Sequence, residues 1–206
     1  QTEVIEVSPK PGKVFEHMHA FSHKPARDMI DLNICMHPEE GLLLHWKIQR
    51  DIVKRGDSKE QVIASVDARR SDAESYVKVQ ANAADIVCIF HPRHAIGPHL
   101  GELDYKPELC LKIRISNRFC LDPLVEGIAE LGPDTVDHYY CNEDWQILEF
   151  SRPIPLDALA RIGEKYVPGF QDFGLYAPAW RDGWEGLLQL IVAYSIFHDS
   201  TRFPEF

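Results

Sequence analysis

The chain has 206 residues, of which 45% are hydrophobic and 26% charged, and its formal net charge is −10. That length suits one good-sized core or two small ones. The excess of acid over base excludes a surface that coats DNA or RNA, because such surfaces displace counterions with lysine and arginine. A small anionic ligand needs only a local positive pocket, so that class of partner stays open. No apolar run is long enough to cross a bilayer; the densest, Leu187 to Ile196, is too short. No signal-peptide pattern is expected at the front. The five cysteines, at 35, 88, 110, 120 and 141, are odd in number and form no close pair. They read as free thiols in a reducing cytoplasm, with Cys35, Cys88 and Cys110 as small core residues.

Val4 to Val7 reads as a short strand and Ser8 to Gly12 as a turn. Lys13-Val14-Phe15 reads as a second short strand that delivers Glu16. The second half of Met29 to Met36 is predicted to be a buried strand, ended by Pro38. A helix is expected from about Glu39 to Lys54. Leu42, Leu44, Trp46, Ile48, Ile52 and Val53 form its apolar arc, and Lys47, Arg50 and Lys54 share the opposite face. Arg55 closes the helix, and Gly56 is its left-handed cap. Ser58 to Gln61 is a capping box that opens a helix to about Arg70. Ser71 to Glu74 repeats the box and predicts another helical turn near Tyr76. Ala84 to Phe90 is a strongly apolar strand, and strand, helices, strand is an α/β order.

Beyond His91 the texture changes, with Pro, Gly and His crowding Pro92 to Gly101. Leu109 to Ile115 alternates as a strand with one wet face does. Asp122 to Leu131 reads as a helix, Gly132 to Asp134 as a turn and Trp145 to Phe150 as a strand. Pro155 to Ile162 reads as a helix with Pro in its first turn. A last helix is predicted from about Trp184 to His198. A soft boundary near residue 92 separates a phosphate-handling half, 1–91, from an α+β extension, 92–206.

Glu16 follows an apolar strand, and the carboxyl end of a strand is where α/β proteins bind ligands. A carboxylate there can orient Mg²⁺ or an attacking group, or can be an ordinary polar strand end. His17, His19 and His23 match no zinc spacing. His91 and His94 read as loop residues. Asp51 is either a partner for Arg55 one turn on or an organiser of the neighbouring arginines. Arg69 and Arg70 suit a helix C-terminus through its dipole. The chain contains no G-x-x-x-x-G-K-[ST] loop, no G-x-G-x-x-G and no G-x-S-x-G. The residues alone thus describe an α/β phosphate-handling module without its nucleotide cradle.

Together these stretches resemble the phosphoribulokinase and uridine kinase family, and its phosphoribulokinase branch more closely. Glu16-His17-Met18-His19-Ala20 is similar to the family's E-G-L-H-P, keeping Glu and His and losing Gly and Pro. Arg27-Asp28-Met29-Ile30-Asp31 resembles R-D-L-x-D. Lys47-Ile48-Gln49-Arg50-Asp51 with Lys54-Arg55-Gly56 resembles K-I-Q-R-D-x-x-x-R-G. Ala68-Arg69-Arg70-Ser71-Asp72, Tyr76, Gln80 and Ala84-Asp85 follow in register, so the continuous likeness covers about 14 to 90.

The resemblance implies a partial P-loop kinase-like α/β fold, a parallel or mixed sheet with flanking helices. It implies transfer of the ATP γ-phosphoryl group to the 1-hydroxyl of D-ribulose 5-phosphate, with Mg²⁺, in a homodimer. Glu16 would stand at the Mg²⁺ and nucleotide site. Lys47 and Arg50 would close over the phosphates as a mobile lid, which Asp51 organises. Arg55 would hold the sugar 5-phosphate, with His19 nearby. The family's phosphate-binding loop and catalytic base would lie upstream of anything present in this chain. Two other readings stand beside it, a uridine kinase-like nucleoside kinase and a non-catalytic relative that binds partners or effectors. The kinase reading requires the cations around Gln49 to face an anion rather than bulk solvent.

Overall fold

The computed structural model describes residues 14–16, 24–72, 74–75, 78–167 and 179–198. In chain order these form α1 (Lys24–Arg27), β1 (Ile34–Met36), α2 (Glu40–Arg55), α3 (Lys59–Asp67), α4 (Arg70–Asp72) and β2 (Ile86–Pro92). There follow β3 (Leu109–Ser116), α5 (Asp122–Ala129), β4 (Asp137–Tyr140), β5 (Trp145–Phe150), α6 (Leu156–Tyr166) and α7 (Gly183–His198). Tight 3₁₀ turns occupy Lys78–Asn82 and Gly97–His99.

The five strands make one mixed sheet in the order β1-β2-β3-β5-β4. Strand β1 runs parallel to β2, and every other neighbouring pair is antiparallel. This is the mixed α/β architecture that the pattern of elements implied. A parallel pair needs a crossover, and here α2 and α3 supply it. The β1 ladder continues into that crossover, because the amides of His37 and Glu39 donate to the carbonyls of Cys88 and Phe90, both at 2.8 Å.

Alternation along the strands sorts the side chains onto two faces. Ile86, Cys88, Leu111, Ile113, Ile115, Leu148 and Phe150 share one face, and all are buried. Leu124 and Ile128 of α5, Leu159 and Ile162 of α6, and Leu187, Leu190 and Ile191 of α7 cover them. The opposite face stays wet at β3 and β5. There Lys112 pairs with Glu149 at 2.7 Å, Tyr139 donates to the same carboxylate, and Arg114 stacks over Trp145 at 4.4 Å.

The start of β2 is fastened by Asp85, one of the residues in the family-like register. Its carboxylate accepts from the amide of Asn33 at 2.8 Å and pairs with Arg118 at 3.3 Å. Its amide and that of Ile86 donate to the carbonyl of Asn33. This aspartate therefore has a structural task, which is to align the parallel pair.

Several expectations change. Val14, Phe15 and Glu16 form no strand, and Val14 is fully exposed. Ser71 lies inside α4. Pro155 is the cap of α6 rather than part of its first turn. His91 belongs to β2 and not to a loop. Strand β4 was not anticipated, because Asp137-His138-Tyr139-Tyr140 is short and polar and forms the sheet's edge. The predicted strand at Val4 to Val7, the turn after it, His17, His19, His23 and Tyr76 lie outside the described residues. The boundary expected near residue 92 falls at the last residue of β2, and the sheet is continuous across it.

Replacing Asp85 by alanine leaves the Asn33 amide and Arg118 without this acceptor. Asp85→Ala is expected to lower unfolding stability by about 1–3 kcal/mol, read from the urea midpoint at unchanged slope. A loss within experimental error would show that the aspartate does not align the strands.

Candidate functional site

The crossover hairpin carries the site. Glu39 starts α2 by accepting hydrogen bonds from the amides of Gly41 and Leu42 at 3.0 and 3.1 Å. These are two of the donors that a helix N-terminus leaves unpaired. Gly56 ends the helix at φ 72°, with its amide directed to the carbonyls of Asp51 and Ile52. Three residues later the capping box of Ser58 and Gln61, with both reciprocal bonds made, restarts the chain as α3. Two helices joined by so short a turn fold back on each other. Lys47 and Arg69 sit at comparable distances from that turn, on opposite arms, and so they meet.

Helix α2 buries Leu42, His45, Ile48 and Asp51. The apolar arc read from the sequence is thus only partly buried, and Val53 is 71% exposed. An aspartate and a histidine take inward positions because each has partners waiting. Asp51 is 3% exposed and holds Arg50 Nε at 2.7 Å and Arg55 Nη1 at 3.6 Å. The hydrogen bond from Arg50, with the charges of Arg50, Arg55 and Lys47 behind it, holds this carboxyl below the usual carboxylate range against the opposing effect of burial. The same bond raises Arg50 further. Lys47 is half-buried, and its ammonium is pushed below the usual lysine value, first by desolvation, then by Arg69, with Arg50 and Arg55 adding to the effect.

Lys47, Arg50 and Arg55 therefore gather around one carboxylate, with Arg69 close enough to act on Lys47, in a protein of net charge −10. Their outer sides are open, with the side chains of Arg50 and Arg55 49% and 62% exposed. A lysine destabilised by neighbouring cations is relieved when an anion arrives, and guanidinium forks match phosphate geometry.

Of the predicted site residues, the structure brings together Lys47, Arg50, Asp51 and Arg55. Glu16 is exposed, and no hydrogen bond or ion pair joins it to α2 among the described residues. His19 lies outside those residues. Arg69 was read as a dipole partner, yet it belongs to the cation group; the length match of the two hairpin arms was the available signal. Arg70 pairs instead with Asp67 at 2.7 Å. A separate cleft, lined by residues 82–85, 116–118 and 143–145, contains none of the predicted site residues. Among the described residues no group of three His, Cys, Asp or Glu side chains could hold a metal, and no helix is long and apolar enough to cross a membrane.

The far side of α2 is fastened to the loop after β2. Gln49 donates to the carbonyls of Glu102 at 2.6 Å and Tyr105 at 3.0 Å. Ile48 packs so closely on Gly101, itself at φ 80°, that a Cβ there would lie 2.6 Å from Ile48 Cγ2. A lid built on α2 would thus carry this loop with it.

Residues 7–96 match the Phosphoribulokinase / Uridine kinase family. Over this segment the chain is similar to phosphoribulokinases. It is 32% identical over 91 residues to the phosphoribulokinase of Synechocystis sp., a match covering 44% of this chain and 27% of that protein. It is 36% identical over 127 residues to the chloroplastic phosphoribulokinase of Mesembryanthemum crystallinum, covering 60% of this chain and 28% of the relative. For the chloroplastic enzyme of Chlamydomonas reinhardtii the identity is 29% over 97 residues, with 47% and 26% covered. A match to 60% of this chain does not fit inside 7–96, so that likeness runs on past Ile96. The chain spans about a quarter of the length of these relatives. The cation cluster, from Lys47 to Arg69, lies inside the matched segment.

The Asp51 contribution has a definite sign with pH. A carboxyl held low in the folded state stabilises it above the unfolded value and loses that effect as pH falls through the folded value. Asp51→Asn is therefore expected to be less stable than the parent at neutral pH, with the gap closing in acid below the ordinary carboxylate range. Thermal unfolding of both proteins across that range checks it; a gap independent of pH would show that charge pairing is not the cause.

Proposed function

We propose that this chain contributes the anion-binding wall of a phosphoribulokinase, within a complete enzyme that transfers the ATP γ-phosphoryl group to the 1-hydroxyl of D-ribulose 5-phosphate. The observation that carries the reading is the gathering of Lys47, Arg50 and Arg55 around Asp51, with Arg69 acting on Lys47, inside the segment that matches the family. In phosphoryl transfer charge spreads over the equatorial oxygens, and the protein's main work is to position and neutralise them.

Each residue then has a task. Lys47 and Arg50 face the transferred phosphoryl group. Arg55, more exposed and anchored by one edge to Asp51, holds the sugar's 5-phosphate, with His19 beside it. Asp51 keeps the guanidinium groups ordered, so less freedom is lost when the anion binds. Glu16 is the carboxylate assigned to the Mg²⁺ of the nucleotide. Magnesium is commonly held by one or two carboxylates together with substrate phosphates, so a single glutamate fits that demand. The metal, when bound with ATP, neutralises the β- and γ-oxygens. The chain itself contains no phosphate-binding loop, and in this reading another part of the enzyme supplies it together with the catalytic base. The reading also takes the enzyme to be a homodimer in a reducing, soluble compartment.

The complete protein is expected to phosphorylate ribulose 5-phosphate in an ATP- and Mg²⁺-dependent coupled assay, and not uridine. Turnover of uridine alone would replace the sugar-phosphate reading with a nucleoside one, and no turnover of either would favour a binding relative. Arg55→Ala is expected to raise the KM for ribulose 5-phosphate by about tenfold or more, the loss of a charge-assisted contact of about 1.5–3 kcal/mol. Arg50→Ala should act mainly on kcat. An unchanged KM in Arg55→Ala would remove its assigned role.

A further inference from the structure

We infer that His45 is a positioning residue, a latch sensitive to protonation that fixes α2, and with it the cation row, against the loop at 97–105. The latch stands on its own geometry. Its bearing on anion binding rests on the function proposed above.

His45 is fully buried, yet both ring nitrogens are engaged across the gap between α2 and the loop. The amide of Gly101 lies 3.0 Å from Nδ1, and the carbonyl of Tyr105 lies 3.2 Å from Nε2. An amide can only donate and a carbonyl can only accept. Nδ1 must therefore carry the lone pair and Nε2 the proton, which fixes one neutral tautomer. The Tyr105 ring meets the imidazole edge-on at 5.8 Å, and His99 stacks behind it at 4.4 Å. One turn along α2, Gln49 grips the same stretch of loop backbone. The loop has no strand to hold it there, so these contacts set the height of α2 over the sheet.

A second proton on the ring would set Nδ1–H against the Gly101 N–H. Two donors cannot bond, and a charge would be buried with no partner at that nitrogen. The ionisable groups around the ring do not offer one. On the loop, Glu102 is bonded to His99 at 2.9 Å, and Tyr105 presents its ring edge and its carbonyl. On α2, Lys47 and Asp51 belong to the cluster that meets Arg69. On β2, Cys88 is in the core and His91 lies toward Glu149 on the sheet. Among the described residues no acidic or basic side chain of α2, α3 or β2 bonds to the His45 ring. Acid therefore opens the latch, releases the loop and loosens the helix that carries the cations.

Hydrogen exchange of the full chain tests this directly. From about pH 7 to about pH 5, the range in which histidine changes charge, exchange at 99–105 should rise about tenfold or more after correction for intrinsic rates. His45→Gln, which can both accept and donate without titrating, should flatten that response, and His99→Gln should leave it as in the parent. Sulfate, whose charge is constant over this range, probes the cation row: its affinity should fall in acid for the parent and hold for His45→Gln. An unchanged pH response in His45→Gln would overturn the latch. Nitrogen shifts of the parent protein that place the proton on Nδ1 would overturn it too, and this measurement does not depend on how any variant folds. If exchange behaves as expected but sulfate never binds, the latch stands and the phosphate reading fails. If sulfate binds while exchange is flat with pH, the latch fails and the phosphate reading survives.

Discussion

A carboxylate taken out of water at Asp51 is the contact on which the hairpin depends. The Lys47 ammonium is depressed first by desolvation and then by the cations near it, Arg69 across the hairpin and Arg50 and Arg55 on its own helix. Asp51 offsets part of that effect from below, through Arg50 at 2.7 Å and Arg55 at 3.6 Å. The compensation is incomplete, and the unbalanced positive charge faces outward. A fully neutralised cluster would be a structural ion network and nothing more. The proposed anion-binding role rests on this local excess of cation over anion, which stands against the acidity of the protein as a whole.

The rest of the architecture serves to hold that hairpin in place. Its two ends are tied into the sheet, at β1 through the amides of His37 and Glu39 and at β2 through Asp85. Its flank is tied to the loop at 97–105 by His45, Ile48 and Gln49. The run from Lys47 to Asp51 therefore has two kinds of residue interleaved on one helix. Ile48 and Gln49 grip neighbouring structure, whereas Lys47 and Arg50 belong to the charge group around Asp51. Such spacing follows from the helical period, since residues one apart point in directions about 100° apart.

Local signals made much of this legible from the residues alone. The extent of α2, its Gly56 cap and the Ser58 box are decided within a few positions, and the structure contains all three. The buried strands β2, β3 and β5 were marked by apolar content and period. What could not be read locally was inward-facing polarity. His45 and Asp51 look like surface residues until the Gly101 and Tyr105 backbone and the arginine partners are placed around them. Strand β4 escaped because an edge strand needs few apolar residues. Arg69 escaped because its partner is across a helix hairpin. The identity proposed for the anion rests on the likeness to phosphoribulokinases, because periodicity and spacing do not carry it.

The five thiols end up at very different depths. Cys88 sits in β2, an inner strand of the sheet, where burial pushes it up to about 12, so its reactive thiolate is scarce in the native protein. Cys120 and Cys141 are free and exposed. An alkylating reagent thus distinguishes skin from interior without any engineered label. Modification at 120 and 141 marks the intact molecule, and modification at 88 clocks the opening of the sheet.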